Sequence, residues 1–185
     1  MRAPRGEAAR RRIIESTCEL ILEEGLDGFN VEAVAAASGA ARSTVYRHWP
    51  ETRDLLVEVL RSMGREFPTP DTGSLASDLR ACALTLRPIF DDPRTRRLIL
   101  DVTRAAADDP DLERVRQELR RDRQSPVQTI IQRAISRGEI DPTIDMDMAL
   151  HLVEGPWLSA TVLQNRTISD EEIDTIVVRI VKALS

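Results

Sequence analysis

Apolar residues recur along nearly the whole chain at spacings of three and four, the period of an amphipathic α-helix. No run alternates at period two for long enough to make a strand. Ile14, Cys18, Ile21 and Leu22 fall at i, i+4, i+7 and i+8, a stripe that ends near Gly25. Asn30 stands where a helix cap belongs, ahead of a short Ala-rich helix over 31–37. Ser38-Gly39-Ala40 breaks that helix and a second short one follows over 41–48. Pro50 stops the pattern, and Leu55, Leu56, Val59, Leu60 and Met63 form the next stripe. The stretch 67–73, Phe-Pro-Thr-Pro-Asp-Thr-Gly, has the composition of a linker.

Beyond it the predicted helices lengthen. Leu75, Leu79, Cys82, Leu86 and Phe90 share one face, with Pro88 expected to kink the last turn. Asp92 and Asp109 each precede a proline, which places a capping carboxylate just before a helix start. The first of these helices carries Leu98, Ile99, Val102, Ala105 and Ala106. The second is expected to be interrupted at Pro126, and its later half carries Val127, Ile130, Ile131, Ala134 and Ile135 before Gly138. Met148, Leu152, Val153, Pro156, Trp157 and Ala160 follow. Ser169 and Glu172 then read as a capping box for a helix bearing Ile173, Ile176, Val177, Ile180, Val181 and Leu184. The pattern predicts an all-α protein of about nine helices.

Composition narrows the function classes. In 185 residues, 42% are hydrophobic and 31% charged, too polar for a membrane bundle and too apolar for a disordered chain. The longest stretch free of Asp, Glu, Lys and Arg, 155–165, falls well short of the ~18 residues of a membrane helix. Arg10, Arg11 and Arg12 mimic the start of a signal peptide, but Glu15 and Glu19 interrupt the apolar stretch that should follow, so a soluble, cytoplasmic protein is expected. Cys18 and Cys82 form no C-x-x-C and read as buried small hydrophobes; neither a metal site nor a cofactor is expected. The net charge of −5 argues against nonspecific binding to nucleic acid, yet residues 1–12 hold five Arg against one Glu, and Arg42, Arg47 and Arg53 recur later. Local basic spots on an acidic chain suit a partner met on one face.

The stretch 30–49 carries the chemistry. Two short helices joined by a Gly-containing turn match the helix-turn-helix plan, in which the second helix enters the major groove. Val45 and Trp49, at i and i+4, would face a core, leaving Arg42, Ser43, Thr44, Tyr46 and Arg47 outward. Arginine is suited to guanine, Ser and Thr to base or phosphate, and the Tyr hydroxyl to phosphate. A pair of short core helices with solvated arginines would show the same pattern.

Residues 7–60 resemble the N-terminal domain of TetR-family transcriptional regulators. The matches are Ala9, Ile13/Ile14, Glu24-Gly25, Val31-Glu32-Ala33-Val34-Ala35, Ser38-Gly39 and Asp54-Leu55-Leu56. The most specific is Ser43-Thr44-Val45-Tyr46-Arg47-His48-Trp49-Pro50. Arg137-Gly138-Glu139-Ile140-Asp141-Pro142 ahead of Gly155-Pro156-Trp157 is similar, more loosely, to the family's ligand domains. The resemblance implies a helix-turn-helix head over 1–66, ending in the fourth helix, and an effector-binding and dimerisation domain over 67–185. It adds His48, Thr52 and Arg53 to the DNA-contacting set, although His48 could equally cap its helix. Two departures stand out: Ala41 replaces the Ser or Thr that caps the recognition helix, and Thr52 replaces a basic phosphate contact.

The implied effector pocket would draw on Leu86, Phe90, Leu100, Val102, Val153 and Trp157, with Arg104 as the nearby charge. It would take an apolar small molecule, with any anionic or acceptor group meeting Arg104. Ala160, Ile173, Ile176, Val177, Ile180, Val181 and Leu184 are expected to form a homodimer seam from the last two helices. Arg120, Arg121 and Arg123 among acidic neighbours read as a solvated face, and His151 as a surface pair with Asp147. The sequence thus reads as a homodimeric, ligand-responsive repressor of a palindromic duplex operator. The competing readings are a helical-bundle enzyme or ligand carrier that does not use DNA, and a co-regulator without an effector.

Overall fold

The computed structural model describes residues 5–64 and 68–185. Among these residues the chain is all-α, with nine α-helices and no strand. They are α1 Arg5–Glu24, α2 Val31–Ser38, α3 Arg42–His48, α4 Thr52–Ser62, α5 Leu75–Asp91, α6 Pro93–Ala106, α7 Pro110–Ser136, α8 Met146–Leu158 and α9 Asp170–Leu184. A 3-10 turn, Leu26–Gly28, follows α1, and a π-helical turn, Ser159–Leu163, extends α8.

Capping chemistry sets most of the helix starts. Asn30 Oδ1 accepts the Ala33 N–H at 2.9 Å, and Asp145 and Ser169 do the same work for α8 and α9. Asp109 Oδ1 accepts the N–H groups of Asp111 and Leu112 ahead of α7. Ala41 has no side chain able to cap α3, and none does. Gly39 closes α2 at φ +65, a left-handed turn that a β-carbon would strain. Pro126 does not interrupt α7. It is buried within a continuous helix, because losing one backbone bond is offset by the packing of Val127, Ile130, Ile131 and Ala134 on the turns that follow.

The chain divides into two compact units. One comprises the described residues up to Gly64 together with Arg97–Leu119; the other comprises 68–96 and Arg120–Ser185. In the first unit Ile13, Leu20, Ile21, Val31, Val34, Val45, Trp49, Leu55 and Val59 make one core, and Leu60, Val102, Ala106, Leu112 and Val115 a second. Leu26, Leu56 and Leu98 touch both cores. The buried stripe of α1 is Ile13, Thr17, Leu20 and Ile21, one position ahead of the expected one. Thr17 tolerates full burial because its hydroxyl donates to the Ile13 carbonyl at 2.6 Å.

In the second unit α9 packs on α5, and both share a core with α7 and α8. The stretch expected as a linker is fastened to this unit, apart from Phe67, which lies outside the described residues. Asp78, fully buried, accepts the Thr72 hydroxyl at 2.7 Å and pairs with Arg137 at 3.2 Å. Arg133 donates to the Pro70 carbonyl at 3.0 Å, and Glu139 accepts the Leu75 N–H at 2.7 Å.

Candidate functional site

The surface of α3 follows from two buried anchors. Val45 and Trp49 are sunk in the core of the first unit, as their i, i+4 spacing predicts. Trp49 is held further by its indole N–H, which donates to Glu58 at 2.8 Å, and by Arg10, whose guanidinium lies 5.5 Å over the ring and pairs with the same Glu58. With that rotation fixed, Arg42, Ser43, Tyr46 and Arg47 project outward and Thr44 is half-buried. Arg42 pairs with Glu32 of α2 at 2.9 Å. Both side chains are well exposed, so the pair is weak and exchangeable for another anion.

The remaining residues of the set stand differently. His48 sits 5.5 Å from the Trp49 ring, and its Nε2 is buried without a hydrogen-bond partner among the described residues, so that nitrogen faces protein. Arg53 is committed within its own unit. It binds Asp109 through two nitrogens and Asp111 at 2.6 Å. The Arg53 hydrogen bond, followed by the Leu112 N–H, holds Asp109 well below the usual carboxylate range. Thr52, at the first position of α4, is half-exposed and has no side-chain partner among the described residues.

A cavity lies inside the second unit, about 500 Å³ including its open mouth. Leu86, Phe90, Val153 and Trp157 meet there, joined by Leu79, Cys82, Ala83, Val127 and Leu158. Burial pushes the Cys82 thiol up to about 11, so it presents a neutral group. The charged lining is Arg123 and Glu154, bonded Nε to Oε1 at 3.1 Å, while Gln124 donates to the other Glu154 oxygen at 2.7 Å. Leu100 and Arg104 do not join this lining. Both are exposed residues of the first unit, and Arg104 pairs with Asp27 at 3.1 Å. Val102 is buried in the first unit's own core.

Arg123 therefore departs from the solvated face expected of it. The readable signal was position: Arg123 and Gln124 lie four and three residues before Val127, extending its apolar stripe backward, and Glu154 lies three before Trp157. Charges on a core-facing stripe mark a site or a buried pair. His151 likewise pairs with Arg120, at 2.9 Å, rather than with Asp147.

Most of the side chains expected at the α9 seam are buried within their own chain. Ile173, Val177, Ile180 and Leu184 are buried in the second unit's core with Ala160, and Ile176 and Val181 pack half-buried against it. Among the described residues of the second unit, the large apolar side chains left outward are Met148 (57% exposed), Leu152 (38%), Leu163 (76%) and Val178 (66%).

Among the described residues no helix is long and apolar enough to cross a membrane, and no group of three or more His, Cys, Asp or Glu could hold a metal ion.

Comparison with known proteins places this architecture. Residues 13–59 match the family described as bacterial regulatory proteins, tetR family, and residues 69–180 match the tetracyclin repressor-like C-terminal domain. The HTH-type transcriptional regulator AqdR of Rhodococcus erythropolis is 32% identical over 152 residues, 82% of this chain and 73% of that protein. The DNA-binding transcriptional repressor TetR of Mycobacteroides abscessus is 29% identical over 81% of this chain and 80% of its own length. A transcriptional regulator from Saccharomonospora viridis, solved in complex with choline, has the same fold, with a TM-score of 0.69 at 18% identity over 95% of this chain and 96% of that one. These relatives are regulators rather than enzymes, which removes the enzyme reading of the helical bundle. The helix-turn-helix of α2 and α3, the family match over both parts of the chain and the shared fold lead to one conclusion: the chain belongs to the TetR family of DNA-binding transcriptional regulators.

Proposed function

We propose that this protein is a homodimeric repressor that binds a palindromic operator through paired α3 helices and leaves it when an apolar small molecule enters the cavity. DNA binding is assigned to residues 1–66 and effector binding and dimerisation to 67–185. The observation that carries the reading is the outward face of α3, where Arg42, Ser43, Tyr46 and Arg47 stand free of the core that fixes the helix. A single head offers few base contacts, so useful specificity calls for two related by a two-fold axis. Arg42 and Arg47 are the base readers in this scheme, with Ser43 and Thr44 beside them. Tyr46 and Thr52 contact phosphate. Thr52 takes the phosphate place at the start of α4 because Arg53 is held by Asp109 and Asp111. Repression is favoured by the relative from Mycobacteroides abscessus, which is named a repressor.

The test is selection of binding sites from randomised duplexes, followed by affinity measurement on the selected site. A palindrome is expected. Arg42→Ala should cost about 1–3 kcal/mol and relax preference at one symmetric base position, whereas Tyr46→Phe should weaken all sequences alike, because phosphate carries no sequence information. A uniform loss in the Arg42 variant would reassign that residue to phosphate.

The seam we assign to a second copy draws on the exposed Met148, Leu152, Leu163 and Val178, since most of the inner face of α9 is already covered. A double change, Leu152→Glu with Val178→Glu, places like charges in that seam and should give monomers by sedimentation with the helix content intact. Dimers that persist at micromolar concentration would move the seam elsewhere. Release by the effector requires tighter binding to the DNA-incompetent state. A coupling of about 1–3 kcal/mol weakens operator affinity roughly 5–150-fold, and DNA weakens effector binding by the same factor.

A further inference from the structure

The cavity of the second unit carries more information than its apolarity. Nine of its lining residues are neutral, and the two charged ones, Arg123 and Glu154, are bonded to each other. The side chains of this pair are 21% and 12% exposed, too buried to be an ordinary surface ion pair. Its hydrogen-bond capacity is unevenly used. Both Glu154 oxygens already accept, one from Arg123 Nε and the other from Gln124. Arg123 spends only its Nε on protein, and its two terminal nitrogens have no acceptor among the described residues. Those nitrogens carry the strongest unfilled donors in the cavity wall, in the fork that matches a planar carboxylate. Glu154 fixes the direction of that fork from its other side. Neither nitrogen is among the buried atoms left without a partner, so water reaches both, and a charged acceptor brought by the ligand can displace that water for a stronger, charge-assisted bond.

We propose that the effector is an apolar monocarboxylate whose head is bound by the terminal nitrogens of Arg123. Its hydrocarbon body lies among Leu79, Leu86, Phe90, Val127, Val153 and Trp157. Gln124 and Glu154 are positioning residues that set the guanidinium. The inference rests on the reading of this cavity as the effector site and adds the chemistry of the head group. A cationic head is disfavoured because the adjacent Arg123 repels it and already balances the charge of Glu154. A dianion would leave one charge unmatched against Glu154.

The experiment compares three ligands with the same chain: decanoate, decan-1-ol and decylamine. Each is titrated into the full-length protein at pH 7.5 by calorimetry, with fluorescence of a Trp49→Phe variant, in which Trp157 is the one remaining tryptophan, as the report that the cavity is occupied. Decanoate is expected to bind about ten- to a hundredfold more tightly than the alcohol, the worth of a hydrogen bond to a charged group. Arg123→Gln should bring decanoate down to the alcohol's affinity and leave the alcohol unchanged. Glu154→Gln keeps an acceptor for Arg123 Nε and should preserve or widen the preference. Equal binding of acid and alcohol by the unaltered protein, or tighter binding of the amine, overturns the carboxylate assignment while leaving the cavity as the effector site. Failure of all three to bind overturns the cavity reading itself. The comparison on the unaltered protein stands even where a variant fails to fold.

Discussion

Trp49→Ala is expected to unfold the first unit and abolish operator binding, although Trp49 itself is buried away from the outward face of α3. The ring fills the core beside Val45, its N–H is the donor to Glu58, and its face carries Arg10. Truncating a buried Trp costs about 3–5 kcal/mol through lost burial and the cavity left behind. Glu58 and Arg10 would also lose the ring that positions them. A chain of this size has stability on the order of 5–15 kcal/mol in all, so the change removes a large share. Thermal unfolding followed by circular dichroism should show an early transition for the first unit, with the second unit's transition near its original temperature. Trp49→Phe keeps the packing but not the donor and should retain most of the operator affinity. An alanine variant that still binds the operator at full strength would mean that α3 is set by Val45 alone.

The second large effect is expected at Asp78, and it depends on pH. Burial alone pushes this carboxyl up, but the two bonds from Thr72 and the pairing with Arg137 outweigh it and bring it below the ordinary range. The folded state therefore binds this proton less readily than the unfolded chain. The stabilisation is fully present above the unfolded pKa of ~3.9 and is lost as the pH falls through the folded value. Asp78→Asn leaves Thr72 and Arg137 with weaker acceptors, at a cost of about 1–3 kcal/mol, or about 2–10 °C in melting temperature for a chain of this length. The difference from the unaltered protein should be largest near pH 7 and shrink below pH ~4. A difference that stays constant down to pH ~3 would place the loss in packing rather than in the charge.

The two expectations mark how differently the units could be read. The first unit was legible almost residue by residue. Short helices with a buried i, i+4 pair, an Asn cap and a glycine turn leave one arrangement for α2 and α3, and Val45 and Trp49 are buried where that spacing puts them. Even there, α1 turned by one position. Ile13 and Ile14 are equally apolar, and Thr17 became a core residue only because a helical carbonyl stood in reach of its hydroxyl. The involvement of 97–119 in the same unit had no local signal, because the ion pairs of Arg53 and Arg61 with Asp109 and Glu118 join positions more than fifty residues apart.

Periodicity tells which side of a helix is apolar but not what covers it. On α9 the stripe predicts a seam for a second chain, but Ile173, Val177, Ile180 and Leu184 are buried in their own chain's core, with Val178 exposed. On α6, Leu100 and Arg104 follow Leu98 and Val102 within a turn, yet they face outward and leave the cavity to α5, α7 and α8. The sequence by itself determined the helices, their caps and the chemistry of the α3 surface, because those depend on neighbours within one or two turns. Tertiary structure alone decided which charge lines the cavity: Arg123 and Glu154 lie 31 residues apart, and only the packing of α7 against α8 turns two ordinary surface residue types into a half-buried pair.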